Sequence, residues 1–360
     1  MDILFEPVRL GELQLANRIV MAPMTRSRAD GRAVPGNEMV DYYRQRASAG
    51  LIVAEGTAPS ASGLGYCRTP AIYSREQIAA WQRVTRAVHE QGGRIVLQLM
   101  HVGRAASHHN KPQGAATVAP SSLPARVQLF SDAAGLVDAD VPQALTLEGI
   151  AEVIGDYRQA ALNAREAGFD GVELHCTSGY LPMQFMAAGS NQRTDAYGGS
   201  PQHRVRFAKE VLEAMAAAIG AGRVGLRLCP GNPYNDIDDH EPAQTTTALC
   251  QAVAPLGLAY LHIMRSPLAD LDAFALAREH GPQALILNDG FDADSARAAL
   301  TAGEGEAVSF GRHFIANPDL VERLRQHRPL AAFDRKTLYT PGARGYSDYP
   351  SWQQTLEVAQ

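Results

Sequence analysis

The chain has 360 residues, 46% of them hydrophobic, which is enough to bury a large core and excludes both a disulfide-stapled miniprotein and a disordered tail. Thirty-three basic against 38 acidic residues leave a net charge of −5, and no block of Lys or Arg could neutralise a run of phosphates, so no nucleic-acid partner is expected. Cys67, Cys176, Cys229 and Cys250 are far apart with no C-x-x-C pair, which argues against a disulfide framework, a zinc knuckle or a dithiol centre.

The start, Met1 to Pro7, has an early acid and no positive segment before an apolar stretch, unlike a signal peptide. No run approaches the roughly eighteen uncharged apolar residues of a membrane span, so the expectation is a cytoplasmic protein with no membrane partner. Residues 3–15, with Leu10-Gly11-Glu12 as a turn, read as a hairpin. Short apolar, β-rich runs then recur at 18–21, 51–54, 95–99, 171–175, 224–228, 260–263, 284–288 and 307–310. Helical patterns lie between them at 74–90, 146–167, 201–219, 243–254, 271–280 and 292–302. Several open on residues that offer oxygen acceptors or early negative charge to free N–H groups: Ser74 before Glu76 and Gln77, Thr146 before Glu148, and Asp292 before Asp294.

This alternation predicts parallel strands joined by crossover helices, and eight such pairs close into a (β/α)8 TIM barrel of the α/β class. A doubly wound sheet would need a G-x-G-x-x-G opening a helix, and none occurs. Residues 1–360 read as one domain, with the hairpin closing one end. The Pro-, Ser- and Ala-rich segment 105–145 follows the third strand and is expected as a long loop over the opposite face, where barrels keep their active sites.

On that reading the informative positions are the strand ends: Ala22-Pro23-Met24-Thr25, Glu55-Gly56-Thr57, Gln98 to His101, His175 to Tyr180, Arg227, Asn288 to Phe291, and Gly311-Arg312. The glycine-containing loops after strands seven and eight, with the forked guanidinium of Arg312, suit a phosphate; alternatively Gly290 and Gly311 only permit tight turns. His175, Ser178 and Tyr180 can aim two donors and a phenol into one pocket, although each alone could be a packed or capping residue. A serine nucleophile is disfavoured because Ser178 lacks a G-x-S-x-G elbow. His108 and His109 are adjacent and no H-x-x-x-H occurs, so no metal is expected.

Longer segments carry a specific likeness: Leu4-Phe5-Glu6-Pro7, residues 17–26 (NRIVMAPMTR), 98–104 (QLMHVGR), 168–175 (GFDGVELH), 190–200 (SNQRTDAYGGS), Phe310-Gly311-Arg312 and 315–320 (IANPDL). From Leu4 to about Pro350 the chain resembles the old yellow enzyme family of flavin-dependent ene-reductases, in the subgroup with bacterial N-ethylmaleimide and nitrate-ester reductases. The resemblance implies bound FMN, with NADPH or NADH as transient reductant. Pro23 and Met24 would touch the isoalloxazine, Thr25 would bond its O4 edge, and Gly56 would line the ring. Gln98 and Arg227 would reach the pyrimidine side, where a guanidinium stabilises charge gathered on reduction. Asp289, Gly290, Phe291, Gly311 and Arg312 would hold the phosphate.

The resemblance also implies that the substrate's oxygen sits on His175 and position 178, that Tyr180 delivers a proton, and that Tyr66 and Tyr339 form aromatic pocket walls. The implied activity is ping-pong reduction of activated C=C bonds in enones, maleimides and nitroalkenes, extending to nitrate esters, by a monomer or homodimer. Hydride from flavin N5 to the β-carbon would be matched by a proton from the Tyr180 phenol. Three departures stand out: Ser178 where the family has Asn or His, Met100 where aromatic residues are frequent, and an altered 231–241 loop with Tyr234. If Ser178 abolishes turnover, the alternative is a flavin-containing binding protein for phenols or quinones. A barrel lyase lacks a Schiff-base lysine, since Lys111, Lys209 and Lys336 lie outside the expected strands.

Overall fold

The structure is a computed structural model and describes residues 2–281 and 284–358. Eight parallel strands close a barrel: β1 (Ile19–Met21), β2 (Leu51–Thr57), β3 (Ile95–Leu99), β4 (Gly171–His175), β5 (Val224–Leu228), β6 (Tyr260–Met264), β7 (Leu285–Asn288) and β8 (Ala307–Phe310). They pair in chain order and β8 closes on β1. Strands buried on both faces read as continuous apolar runs, which is why all eight were visible in the sequence. β2 continues three residues past the expected end because one extra residue bulges out between Ala54 and Thr57, opposite Leu97 to Leu99 of β3.

The outer helices are α1 (Asn37–Gln45), α2 (Arg75–His89), α3 (Leu147–Glu166), α4 (Arg206–Ile219), α5 (Pro242–Val253), α6 (Ala273–His280), α7 (Ala293–Thr301) and α8 (Leu320–Arg325). The start signals work as their chemistry dictates. Ser74 and Gln77 form a reciprocal capping box at α2, Asp292 and Ser295 form another at α7, and the Thr146 hydroxyl accepts from the Gly149 N–H at 3.0 Å. The single helix expected over 201–219 is broken at Val205, where Arg204 turns inward and donates to the Met186 carbonyl at 2.6 Å. Helix α1 escaped the sequence reading because its buried stripe is Met39, Tyr42 and Tyr43, and Gly36 offers no side-chain cap.

Hairpin strands Val8–Leu10 and Leu13–Leu15 close the lower end, burying Leu10, Leu13 and Leu15 against Val20, Leu51, Val53, Val96 and Ile286. Each buried leucine contributes on the order of 2 kcal/mol. Gly11 at the turn has φ +56, and a Cβ there would lie 2.6 Å from the Gly222 carbonyl oxygen and 2.7 Å from Ala259 Cα, so only glycine fits.

Segment 105–145, expected as a long loop, contains two pairs of short strands. Gln128–Ser131 pairs antiparallel with Gly135–Asp138, and Val118–Ala119 pairs with Gln143–Ala144. These strands are too short, and too exposed at Phe130 and Leu136, to show the alternation by which strands are recognised.

At the upper end, Arg26 and Arg28 leave β1 and clamp the C-terminal segment. Arg26 donates to the carbonyls of Leu338 (3.1 Å) and Gly345 (2.6 Å), and Arg28 to that of Thr337 (2.8 Å). Tyr346 stacks on Tyr42 with ring centroids 4.0 Å apart. Residues 335–341 are thereby held at the barrel mouth. Among the described residues no helix is long and apolar enough to cross a membrane.

Candidate active site

Two cavities open at the C-terminal ends of the strands. The larger, about 820 Å³, is lined by Pro23 and Met24 after β1, Arg227 on β5, Asp289, Gly290 and Phe291 after β7, and Gly311 and Arg312 after β8. Asp289 (φ 78) and Gly290 (φ 77) are both left-handed and turn the chain sharply off β7. A Cβ added at Gly290 or Gly311 would meet nothing closer than 3.7 and 3.5 Å, so the space beside both loops is open. Arg312 is exposed, 3.5 Å from Asp289, and Arg227 is buried. A cavity with a glycine-loop cradle, an exposed Arg312 and a buried Arg227 matches the donor set of a flavin mononucleotide.

The second cavity, about 540 Å³, shares Arg335 with the first and is walled by Thr25, Tyr66, Phe130, Tyr180, Tyr234 and Tyr339. Tyr180 caps the short helix Leu181–Met186. Its ring meets His175 edge-on at 5.0 Å and Tyr66 edge-on at 6.1 Å. Burial pushes the Tyr180 phenol well above the usual value of 10, and Tyr66 beside it pushes the same way. Burial, then the Arg227 charge, pushes His175 down to about 3. The site therefore presents a protonated phenol and a neutral imidazole at neutral pH. His175 Nδ1 is buried without a hydrogen-bond partner, as a group awaiting a ligand would be.

Ser178 has φ +57, a conformation asparagine adopts more readily than serine. Its carbonyl accepts from Asn235 Nδ2 at 2.9 Å, and the same amide donates to the Tyr66 hydroxyl at 3.1 Å. Gly179 (φ +74) lets the β5–α5 loop sit directly on this turn, since a Cβ there would lie 2.4 Å from the Tyr234 carbonyl oxygen. Gly56 lies under Met100, whose sulfur would be 2.5 Å from an added Cβ, and Gln98 is turned toward Glu173 at 2.8 Å. The two cavities do not include Gly56, Gln98, His175 or Ser178 in their walls.

Sequence reading missed Asn235, and it missed Glu173, His262, Asn288 and Ser309 as a connected group inside the barrel. A signal existed for the second set: each is a polar residue inside or at the end of an otherwise apolar strand run.

A model of the NADH:flavin oxidoreductase / NADH oxidase family matches residues 3–331. The chain is 40% identical over 357 residues to a probable flavin mononucleotide-dependent alkene reductase of Leishmania infantum, covering 97% of each. Among solved structures it superposes on the old yellow enzyme homologue from Zymomonas mobilis with a TM-score of 0.93 at 38% identity, covering 96% of this chain and 99% of that one. It also superposes on morphinone reductase in complex with tetrahydroNAD with a TM-score of 0.92 at 44% identity, covering 97% of each. The chain belongs to the NADH:flavin oxidoreductase / NADH oxidase family, the old yellow enzymes, and is an FMN-dependent ene-reductase.

Proposed function

We propose that the two cavities, which meet at Arg335, divide the work of reducing an electron-poor C=C bond. Pro23, Met24 and Arg227 hold the ring system of FMN, Asp289, Gly290, Phe291, Gly311 and Arg312 hold its phosphate, and the alkene enters between Tyr66, Tyr180 and Tyr339. When bound, FMN supplies two electrons as hydride to the β-carbon. His175 and the position-178 residue bind the carbonyl or nitro oxygen as negative charge gathers there, lowering the barrier as preorganised donors do. Tyr180 gives its proton to the α-carbon and recovers one from solvent. The aromatic walls suit flat conjugated ligands and a nicotinamide ring, so NADPH or NADH is taken in the same cavity.

The observation that carries this reading is the pairing of a buried, protonated Tyr180 with neutral, unpartnered His175 beside the glycine-loop cavity. A catalytically weak binding protein is set aside, because the acid is intact and the position-178 oxygen contact is one donor of two. The test is optical. Purified protein should be yellow, bleach anaerobically with NADPH or NADH, and recolour with 2-cyclohexenone or N-ethylmaleimide. Protein that stays colourless after incubation with FMN refutes the assignment.

A further inference from the structure

At the floor of the larger cavity, above the hydrocarbon that packs on the hairpin, the barrel carries a polar layer. Gln98 (β3), Glu173 (β4), Arg227 (β5), His262 (β6), Asn288 (β7) and Ser309 (β8) come from six successive strands, and the pairs Glu173 with Gln98, Arg227 with His262 and Asn288 with Ser309 are direct register partners. All six side chains are buried, Glu173 and His262 completely. His262 sits at the centre. Its Nδ1 is 2.9 Å from Glu173 Oε2 and its Nε2 is 2.7 Å from Ser309 Oγ, so both in-plane directions of the ring are used.

Arg227 Nη1 lies 2.9 Å from Nδ1 and 2.7 Å from Nε2 of His262. A donor on the axis of one ring nitrogen could not be equally near the other, so the guanidinium packs across the ring rather than along either lone pair. Its Nη2 donates to Asn288 Oδ1 at 2.8 Å. Among the described residues Arg227 has no direct ion pair, and the buried carboxylate nearest to it in this network, Glu173, is one imidazole away. Burial and then the Arg227 charge push His262 down to about 4, so the ring is neutral. Burial would raise Glu173, but His262, through its electrostatic interaction and its hydrogen bond, then the Arg227 charge and the Gln98 hydrogen bond outweigh it and hold the carboxyl below its usual value, ionised at neutral pH.

We infer that His262 is a positioning residue: it separates Glu173 from Arg227, leaving the guanidinium fixed but incompletely neutralised, and so sets how strongly Arg227 favours the reduced flavin. A direct Arg–Glu pair would cancel most of the field at the cavity end. A lone buried Arg would be too costly to hold. The interposed neutral ring gives an intermediate field, and Asn288 fixes the direction of the guanidinium. This rests on FMN occupying the larger cavity with its pyrimidine edge at Arg227.

The test is the midpoint potential of the FMN-loaded protein, measured by anaerobic equilibration with a reference dye. Glu173→Gln removes the countercharge and should shift the two-electron equilibrium toward reduced flavin by tenfold or more, about 30 mV upward. His262→Asn keeps an N–H for Glu173 but withdraws the ring from Arg227, letting the guanidinium close on the carboxylate. It should shift the equilibrium tenfold the other way. Opposite signs from neighbouring residues in one network are not what a loss of packing produces, and if one variant fails to fold, the sign of the other decides. Folded, yellow variants with a wild-type potential, or shifts of the same sign, overturn the inference. Wild-type protein that binds no FMN instead overturns the cofactor reading beneath it.

Discussion

Replacing Asn235 with alanine tests whether the β5–α5 loop organises the catalytic end of the pocket. The amide makes two hydrogen bonds, to the Tyr66 hydroxyl at 3.1 Å and to the Ser178 carbonyl at 2.9 Å, and the residue is buried at φ +57. Two neutral hydrogen bonds contribute about 1 kcal/mol each, and alanine in a left-handed conformation costs about 1 kcal/mol more than asparagine. The expected destabilisation is about 3 kcal/mol, or roughly 4 °C in Tm for a chain of this size. Freed from Asn235, Tyr66 no longer holds the edge of Tyr180, and kcat/KM for an enone should fall about tenfold, equivalent to ~1.4 kcal/mol. Asn235→Gly separates the causes, since glycine removes the amide but accepts the dihedral. It should recover about 1 kcal/mol of stability and none of the rate. Thermal unfolding and steady-state kinetics on the three proteins suffice. A glycine variant with wild-type kcat/KM would show that backbone strain alone was at stake and would refute the argument.

Tyr180→Phe should slow alkene reduction by about 10²- to 10⁴-fold, the usual worth of a placed general acid, while bleaching by the nicotinamide stays near wild type; stopped-flow measurement of each half separates them. Because the phenol is held well above 10 and His175 near 3, neither changes protonation between about pH 5 and 9, and the alkene-reducing step should be flat there. A rate titrating near the free-histidine value would contradict this. Glu55 gives a stability test. Burial raises its carboxyl to about 7, against hydrogen bonds from the Arg26 N–H and the Tyr43 hydroxyl that lower it. The folded state therefore binds the proton more tightly than the unfolded one, so this contribution is complete below about pH 4.5 and is lost as pH rises to about 7. Comparing wild type with Glu55→Gln by denaturant titration, the wild type should lose on the order of 3 kcal/mol relative to the variant across that interval, and parallel curves would exclude the effect.

What could be read from residues alone follows a physical rule. The eight barrel strands were legible because a parallel strand buried on both faces must be an apolar run, and the helix starts because a cap is a local event, with Ser74 and Gln77 three residues apart. The glycine and arginine positions of the larger cavity were legible because a barrel places strand ends together whatever else it does. Pairings across the barrel were not. Glu173 and His262 are 89 residues apart, and their meeting depends on strand stagger, which no local pattern encodes. Ser178 makes the same point at the substrate end. Judged by its own side chain, serine at 178 removes reach from the site. In the folded chain, Asn235, 57 residues later, brings an amide to the Ser178 carbonyl and to Tyr66. The side chain at 178 therefore has to be weighed together with the distant loop that packs on its turn, which carries Tyr234 and Asn235.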